Sequence, residues 1–235
     1  MDKIIEALKA NGKYWIGFVG DSITSAEWVH PNWREIVEYV LKEEVCDQFS
    51  DYRTSSWGIR CFNFGYDGST TKDILNKVGD INMVSPNILI GITGGNDPIF
   101  DIKPDDTKNN LENFFDNIDK NTEIVWCNST PAKKGYLGNT KYEPYARILY
   151  GLKERNNLKT IDMFNIYKDF PTESFFTFIS EENPDEGIRA GEIDPWHPNT
   201  LGNAYIAKII LEKVWGIKFD PEKYIKTINN KFPEY

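Results

Sequence analysis

Five short runs rich in apolar residues, at 14–19, 61–64, 87–92, 123–128 and 159–164, punctuate this chain, and most lack the apolar–polar alternation of a half-exposed strand. An unbroken run such as Ile88-Leu89-Ile90-Gly91-Ile92 suits a strand covered on both faces, as in a parallel sheet between two layers of helices. The intervening segments have helical period. Trp33, Ile36, Val37, Val40 and Leu41 share one stripe, and Leu111, Phe114, Phe115 and Ile118 share another. Tyr145, Ile148, Leu149 and Leu152 repeat the pattern, as do Ala207, Ile210, Leu211 and Val214 near the C-terminus. The expected fold is therefore an α/β, three-layer α/β/α sandwich with about five parallel strands. A chain of 235 residues, 40% of them hydrophobic, suits a single domain over residues 1–235, and no repeat or low-complexity linker divides it.

In such sheets ligands bind beyond the carboxyl ends of the strands. Gly20-Asp21-Ser22 closes the first run, which places a serine hydroxyl at the rim of the fold; the plain alternative is a turn. With only two histidines in the chain, a histidine base for Ser22 is either His30 or His197. His197 sits in Asp194-Pro195-Trp196-His197-Pro198, where the acid three residues ahead can hold Nδ1 and leave Nε2 to accept a proton. The alternative for that segment is a surface loop. His30, in Trp28-Val29-His30-Pro31, has no acid close by and is expected in a loop over the site. After the second run comes Asn63-Phe64-Gly65-Tyr66-Asp67-Gly68-Ser69-Thr70, a glycine-rich turn without the Lys-Ser/Thr ending of a phosphate loop. After the third comes Thr93-Gly94-Gly95-Asn96-Asp97, whose Asn96 either closes the turn or aims an amide at a developing oxyanion.

Net charge of −9 argues against nucleic acid as a partner, since phosphate binding requires clustered lysine and arginine. Lys133-Lys134 is read as a solvated loop. Cys46, Cys61 and Cys127 lack metal-ligand spacing, and the two histidines cannot complete a metal site, so no metal and no cofactor is expected. The first nine residues form an amphipathic helix rather than a leader, and no apolar stretch approaches the ~18 residues of a membrane span. A cytoplasmic location is the resulting expectation, although a protein trimmed of a leader would have the same sequence.

Gly20-Asp21-Ser22, the glycine turn after the second run, Gly94-Gly95-Asn96-Asp97 and Asp194-Pro195-Trp196-His197 occur in order across nearly the whole chain. In this the sequence resembles the SGNH hydrolase superfamily, the GDSL-type esterases and lipases. The resemblance implies a flavodoxin-like SGNH hydrolase fold and two-step acyl transfer on a carboxylic ester. It makes Ser22 the nucleophile, His197 the base and later the acid, and Asp194 the residue that orients the histidine. It also implies an oxyanion hole of the Ser22 N–H, the Gly68 N–H and the Asn96 amide, with Gly65 the alternative glycine. Asp21 and Asp97 match residues that tie the loops together, and Ile23 stands where the family name has leucine. Trp28, Trp57, Tyr66 and Trp196 lie in or beside these loops and are expected either to face sugar rings or to pack the loops. A small acyl group, acetyl on a carbohydrate, is the expected substrate. The alternatives are a lysophospholipase or thioesterase acting on longer chains, a catalytically silent glycan-binding module, and acyl transfer to a sugar acceptor. The acyl group, the alcohol and the oligomeric state are not legible in the sequence.

Overall fold

Five parallel strands, β1 (Tyr14–Gly20), β2 (Ile59–Gly65), β3 (Ile88–Thr93), β4 (Glu123–Asn128) and β5 (Leu158–Ile161), pair in the order β2-β1-β3-β4-β5. The structure is a computed structural model and describes residues 1–231 apart from 26, 50, 137–138 and 183–187. Ten α-helices are seen among the described residues. They are α1 (Asp2–Asn11), α2 (Trp33–Phe49), α3 (Tyr52–Gly58), α4 (Thr71–Leu75), α5 (Val78–Val84), α6 (Pro104–Asn117), α7 (Asn139–Arg147), α8 (Met163–Lys168), α9 (Thr200–Ile210) and α10 (Pro221–Lys231).

Alternate residues of each central strand feed two separate cores. Phe18, Ile90 and Val125 pack with Ile4, Trp33, Ile36 and Ile206 in the layer of α1, α2 and α9. Val19, Leu89, Ile124 and Trp126 pack with Ile74, Leu111, Phe114 and Phe115 in the layer of α4 and α6. The apolar runs are continuous because both faces of the sheet are covered. The fifth run ends earlier than its composition implies. Strand β5 stops at Ile161 because Asp162 accepts the Asn165 N–H at 3.2 Å and starts α8. The last two helical stripes also tighten or loosen at their ends, into a 3₁₀ turn at Ile148–Gly151 and a π turn at Leu211–Trp215.

Strand β1 lies between β2 and β3, so the chain leaves the sheet's middle first to one side and then to the other. That reversal opens a crevice beyond the carboxyl ends of β1 and β3. Gly20, the last residue of β1, is in register with Ile92, one residue before the end of β3.

On the opposite core, Gly91 lets the Trp126 indole lie across the sheet: a β-carbon there would stand 2.2 Å from the ring. Phe114 and Phe115 hold the indole from above, with ring centroids 5.3 and 5.0 Å away. Gly91→Ala is expected to overpack this core by about 1–3 kcal/mol, lowering Tm by roughly 3–10 °C for a chain of this size. Thermal unfolding followed by circular dichroism checks this, and an unchanged Tm would show that the indole can shift at no cost.

Candidate active site

Beyond β1 the chain turns at once. The Asp21 carbonyl accepts N–H groups from Thr24 and Ser25 at 2.9 Å, and Asp21 Oδ1 accepts the Ile23 N–H at 3.1 Å. A β-carbon on Gly20 would meet the Ile92 carbonyl oxygen and Thr24 Oγ1, each at 2.4 Å, so glycine is required for the turn to close over β3. Ser22 is thereby set at the strand's end. Asn32 Nδ2 donates to the Ser25 carbonyl at 2.6 Å and Arg34 Nε to the Thr24 carbonyl at 3.2 Å, fastening the loop that follows.

The segment before α9 meets this turn. Asp194 is anchored by its N–H to the Phe178 carbonyl at 2.9 Å. Its Oδ1 accepts the N–H groups of Trp196 at 2.7 Å and His197 at 3.1 Å, and Oδ2 lies 2.6 Å from His197 Nδ1. His197 Nε2 in turn lies 2.9 Å from Ser22 Oγ. Asn203 braces the two loops: its Oδ1 accepts the Trp33 N–H at 3.0 Å, and its Nδ2 donates to the Pro198 carbonyl at 2.8 Å. A histidine held this way on Nδ1 can take the proton of a serine at Nε2.

The two acids are tuned in opposite directions. Burial alone would raise the Asp194 carboxyl, but hydrogen bonds from the His197 ring and from the Trp196 and His197 N–H groups hold it below the usual carboxylate range. Asp21 is fully enclosed, and burial pushes it up to about 6 against the opposing pull of the Ile23 N–H and His197. Its Oδ2 is buried without a hydrogen-bond partner.

After β3, Gly94 turns the chain at φ 107°. Asn96 Nδ2 donates to the Ser69 carbonyl at 3.0 Å, which leaves its second N–H free for another acceptor. Asp97 is wholly buried and accepts from Thr71 N at 2.8 Å and from the Thr71 and Thr107 hydroxyls at 2.5 Å, tying this loop to α4 and α6. Gly68, at φ 69°, has an N–H with no acceptor among the described residues, and the same is true of Ser22. The Gly65 N–H is already donated to Asn63 Oδ1 at 2.9 Å, which favours Gly68 over Gly65 as a donor to a ligand.

A cavity of about 150 Å³ brings together Asp21, Ser22, Trp28, Asn96, Asp194, Trp196 and His197. Gly68 is not part of its wall. Trp28 stacks on His197, and Trp196 is packed by Tyr136 and Tyr142 at 4.9 and 4.5 Å. Two of the four aromatic expectations need correction. Trp57 sits on α3, which leads into the amino end of β2, and so stands at the opposite edge of the sheet. Tyr66 follows β2 at the right end, but its ring takes the Lys77 ammonium at 4.1 Å and does not line the cavity. The reading of His30 also changes. The turn into α2 brings its Nδ1 within 3.3 Å of Glu35, and it stays outside the cavity. The sequence reading missed Ile99, Ser129, Thr130, Tyr142, Ser180 and Ile188, which also line the cavity. Ser129 and Thr130 directly follow β4, so the rule of strand ends could have found them.

The chain belongs to the GDSL-like lipase/acylhydrolase family, whose model matches residues 18–205. This makes it a carboxylic ester hydrolase. Solved structures with a similar fold include a lipase/acylhydrolase from Enterococcus faecalis, with TM-score 0.62 and 19% identity over 86% of this chain and 95% of that one. A variant of an acetyl xylan esterase from Geobacillus stearothermophilus has TM-score 0.64 and 16% identity over 88% of this chain and 96% of its own. The acetyl xylan esterase AlAXEase has TM-score 0.64 and 19% identity over 85% of this chain and 99% of its own. No curated protein matches the sequence. Among the described residues no helix is long and apolar enough to cross a membrane, and no cluster of three or more His, Cys, Asp or Glu could hold a metal ion.

The raised Asp21 carboxyl has a definite sign in stability. Between the unfolded value of 3.8 and the folded value of about 6 the native state binds the extra proton, so stability from this group falls as pH rises through that window. Asp21→Asn removes the titration. Its stability relative to wild type, read from denaturant unfolding, is expected to improve by roughly 2–3 kcal/mol between pH 4 and pH 7. A difference that stays constant over that range would show that Asp21 carries no such shift.

Proposed function

We propose that this enzyme removes a small acyl group, acetyl first among them, from an esterified carbohydrate through an acyl-enzyme on Ser22. The reading is carried by the unbroken line of hydrogen bonds from Asp194 through His197 to Ser22, set in the wall of a cavity of only about 150 Å³. Ser22 Oγ attacks the ester carbonyl as its proton passes to His197 Nε2. The C–O bond of the tetrahedral intermediate then breaks, and the departing alcohol takes that proton. Water repeats the cycle on the acyl-enzyme and releases the acid. Asp194, ionised throughout, fixes the tautomer with Nε2 unprotonated and offsets the charge of the imidazolium.

The oxyanion is assigned to three donors: the N–H groups of Ser22 and Gly68 and the second N–H of Asn96 Nδ2. The first two have no acceptor among the described residues, and the third is oriented by Ser69. Preorganised donors of this kind act most strongly where water is excluded, each worth about 3 kcal/mol of barrier.

Cavity size supports a short acyl group. A space of about 150 Å³ accommodates a group the size of benzene, well below the 300–1,000 Å³ of pockets for larger ligands. Ile23, Ile99 and Ile188 give it apolar wall for a methyl group, and Ser129 and Thr130 add hydroxyls suited to a sugar. Two neighbours in fold bear the name acetyl xylan esterase, which agrees with this choice.

Ser22→Ala is expected to abolish hydrolysis of p-nitrophenyl acetate and labelling by a fluorophosphonate probe while leaving the unfolding transition in place. Wild-type-like turnover in that variant would remove Ser22 from the mechanism. Asn96→Ala should lower kcat by about 100-fold with little change in KM; a change confined to KM would make Asn96 a ground-state binding residue. Across acetate, butyrate and octanoate esters, kcat/KM is expected to fall steeply with chain length. A rise towards octanoate would favour the long-chain alternative, and absence of both turnover and labelling would favour the glycan-binding one.

A further inference from the structure

The reaction scheme gives no role to Trp28. Its indole lies flat on the His197 imidazole, with ring centroids 3.7 Å apart and planes inclined by 4°. Two neutral aromatic rings avoid this nearly face-to-face arrangement and prefer an offset or edge-on one. The arrangement becomes attractive when one ring is a cation, because the negative face of the indole then meets positive charge. The outer edge of the indole is also held: Trp28 Nε1 donates to Asp67 Oδ1 at 2.9 Å, across from the loop after β1 to the turn after β2. A carboxylate on the N–H is a charge-assisted acceptor, and it fixes the orientation of the indole over His197.

We propose that Trp28 is a positioning residue for the proposed reaction: stacked on His197 and tethered to Asp67, it holds the imidazole in line with Ser22 and favours its protonated form. This rests on the acyl-transfer reading of the site. In the acylation half of the reaction the imidazolium lasts while the Ser22 proton is in transit, and in deacylation it forms again with the proton of water. In acylation it forms as the Oγ–H bond breaks and the Oγ–C bond is made, and it ends when Nε2 gives that proton to the leaving alcohol oxygen. An interaction present in that interval and weaker before it lowers the barrier rather than the affinity.

Three acids lie around His197 and the indole stacked on it. Asp194 is on Nδ1 at 2.6 Å, Asp21 is buried close by, and Asp67 is behind the indole. Asp21, raised to about 6 by burial, titrates in the range where rates also change with pH, so rate profiles alone do not isolate the imidazole. The chain has only two histidines, and His30→Gln leaves a single imidazole signal to follow by NMR.

In that background the test compares Trp28→Leu, Trp28→Phe, Asp67→Ala and the Phe/Ala double variant, with p-nitrophenyl acetate kinetics, imidazole titration and thermal unfolding. Trp28→Leu is expected to lower kcat by about tenfold with KM within about twofold, and to move the His197 titration to lower pH by about half a unit or more. Trp28→Phe keeps a ring over the imidazole but lacks the N–H, so it should retain most of the titration position and lose part of kcat. Asp67→Ala should lose the same part, and the double variant no more than either, because both remove one tether. Unchanged kcat and titration in Trp28→Leu, with KM rising for an acetylated oligosaccharide, would overturn the proposal and make Trp28 a sugar platform. If Trp28→Leu fails to fold, additive or absent losses in the Phe and Ala variants overturn the tether. If the wild type neither hydrolyses the ester nor reacts with the fluorophosphonate, the acyl-transfer reading fails; the titration shift then still decides whether the indole favours the cation.

Discussion

Burial of both faces of β1 and β3 is the constraint on which the rest of this structure depends. Each strand sends alternate side chains into two cores, Phe18 and Ile90 into one, Val19 and Leu89 into the other. A one-residue slip between them would exchange these sets and place every side chain against the wrong layer. The fixed register brings the ends of both strands within one residue of the same level, and their following turns, one with Ser22 and one with Asn96, therefore face a single crevice. Packing of apolar residues far from the cavity thus determines where its polar groups stand.

Two acids stand in the crevice, and the protein shifts them in opposite directions. Asp194 has three donors and remains ionised beside His197. Asp21 is next to Ser22 in sequence but turned inward, with one oxygen on the Ile23 N–H and the other without a partner. A second full carboxylate close to the imidazole would compete with Asp194 for its proton. Burial raises Asp21 to about 6 while hydrogen bonds hold Asp194 low, so as pH falls Asp21 takes up a proton first and Asp194 stays ionised on the imidazole.

Much of the fold was legible because two-sided burial leaves a plain mark in sequence, as at Ile88-Leu89-Ile90-Gly91-Ile92. The Asp194–His197 contact was legible for a different reason: a spacing of three within a proline-stiffened turn is local, and a local contact needs no knowledge of the rest of the chain. The contacts that escaped are those made by separate loops converging. Trp28 on His197, Tyr142 against Trp196 and the Ser129 wall have no local signature. Two misreadings were avoidable. Trp57 precedes the second apolar run and therefore belongs to the amino edge of the sheet, and Glu35 lies only one turn of chain from His30. The early end of β5 is a contest between apolar residues that extend a strand and Asp162, which caps a helix; the cap prevails there because Met163 and Phe164 are buried equally well from α8.

Asn203 has a consequence beyond holding two loops. It lies in α9 and is almost wholly buried, and through it the first residue of α2 is bonded to the helix that follows His197. Helices α2 and α9 also belong to the same hydrophobic layer, so the joint that sets the Ser22–His197 distance is part of the main core rather than an addition to it. Separating the two side chains means prying apart that layer. The contact between Ser22 and His197 is therefore held by the same packing that holds the fold.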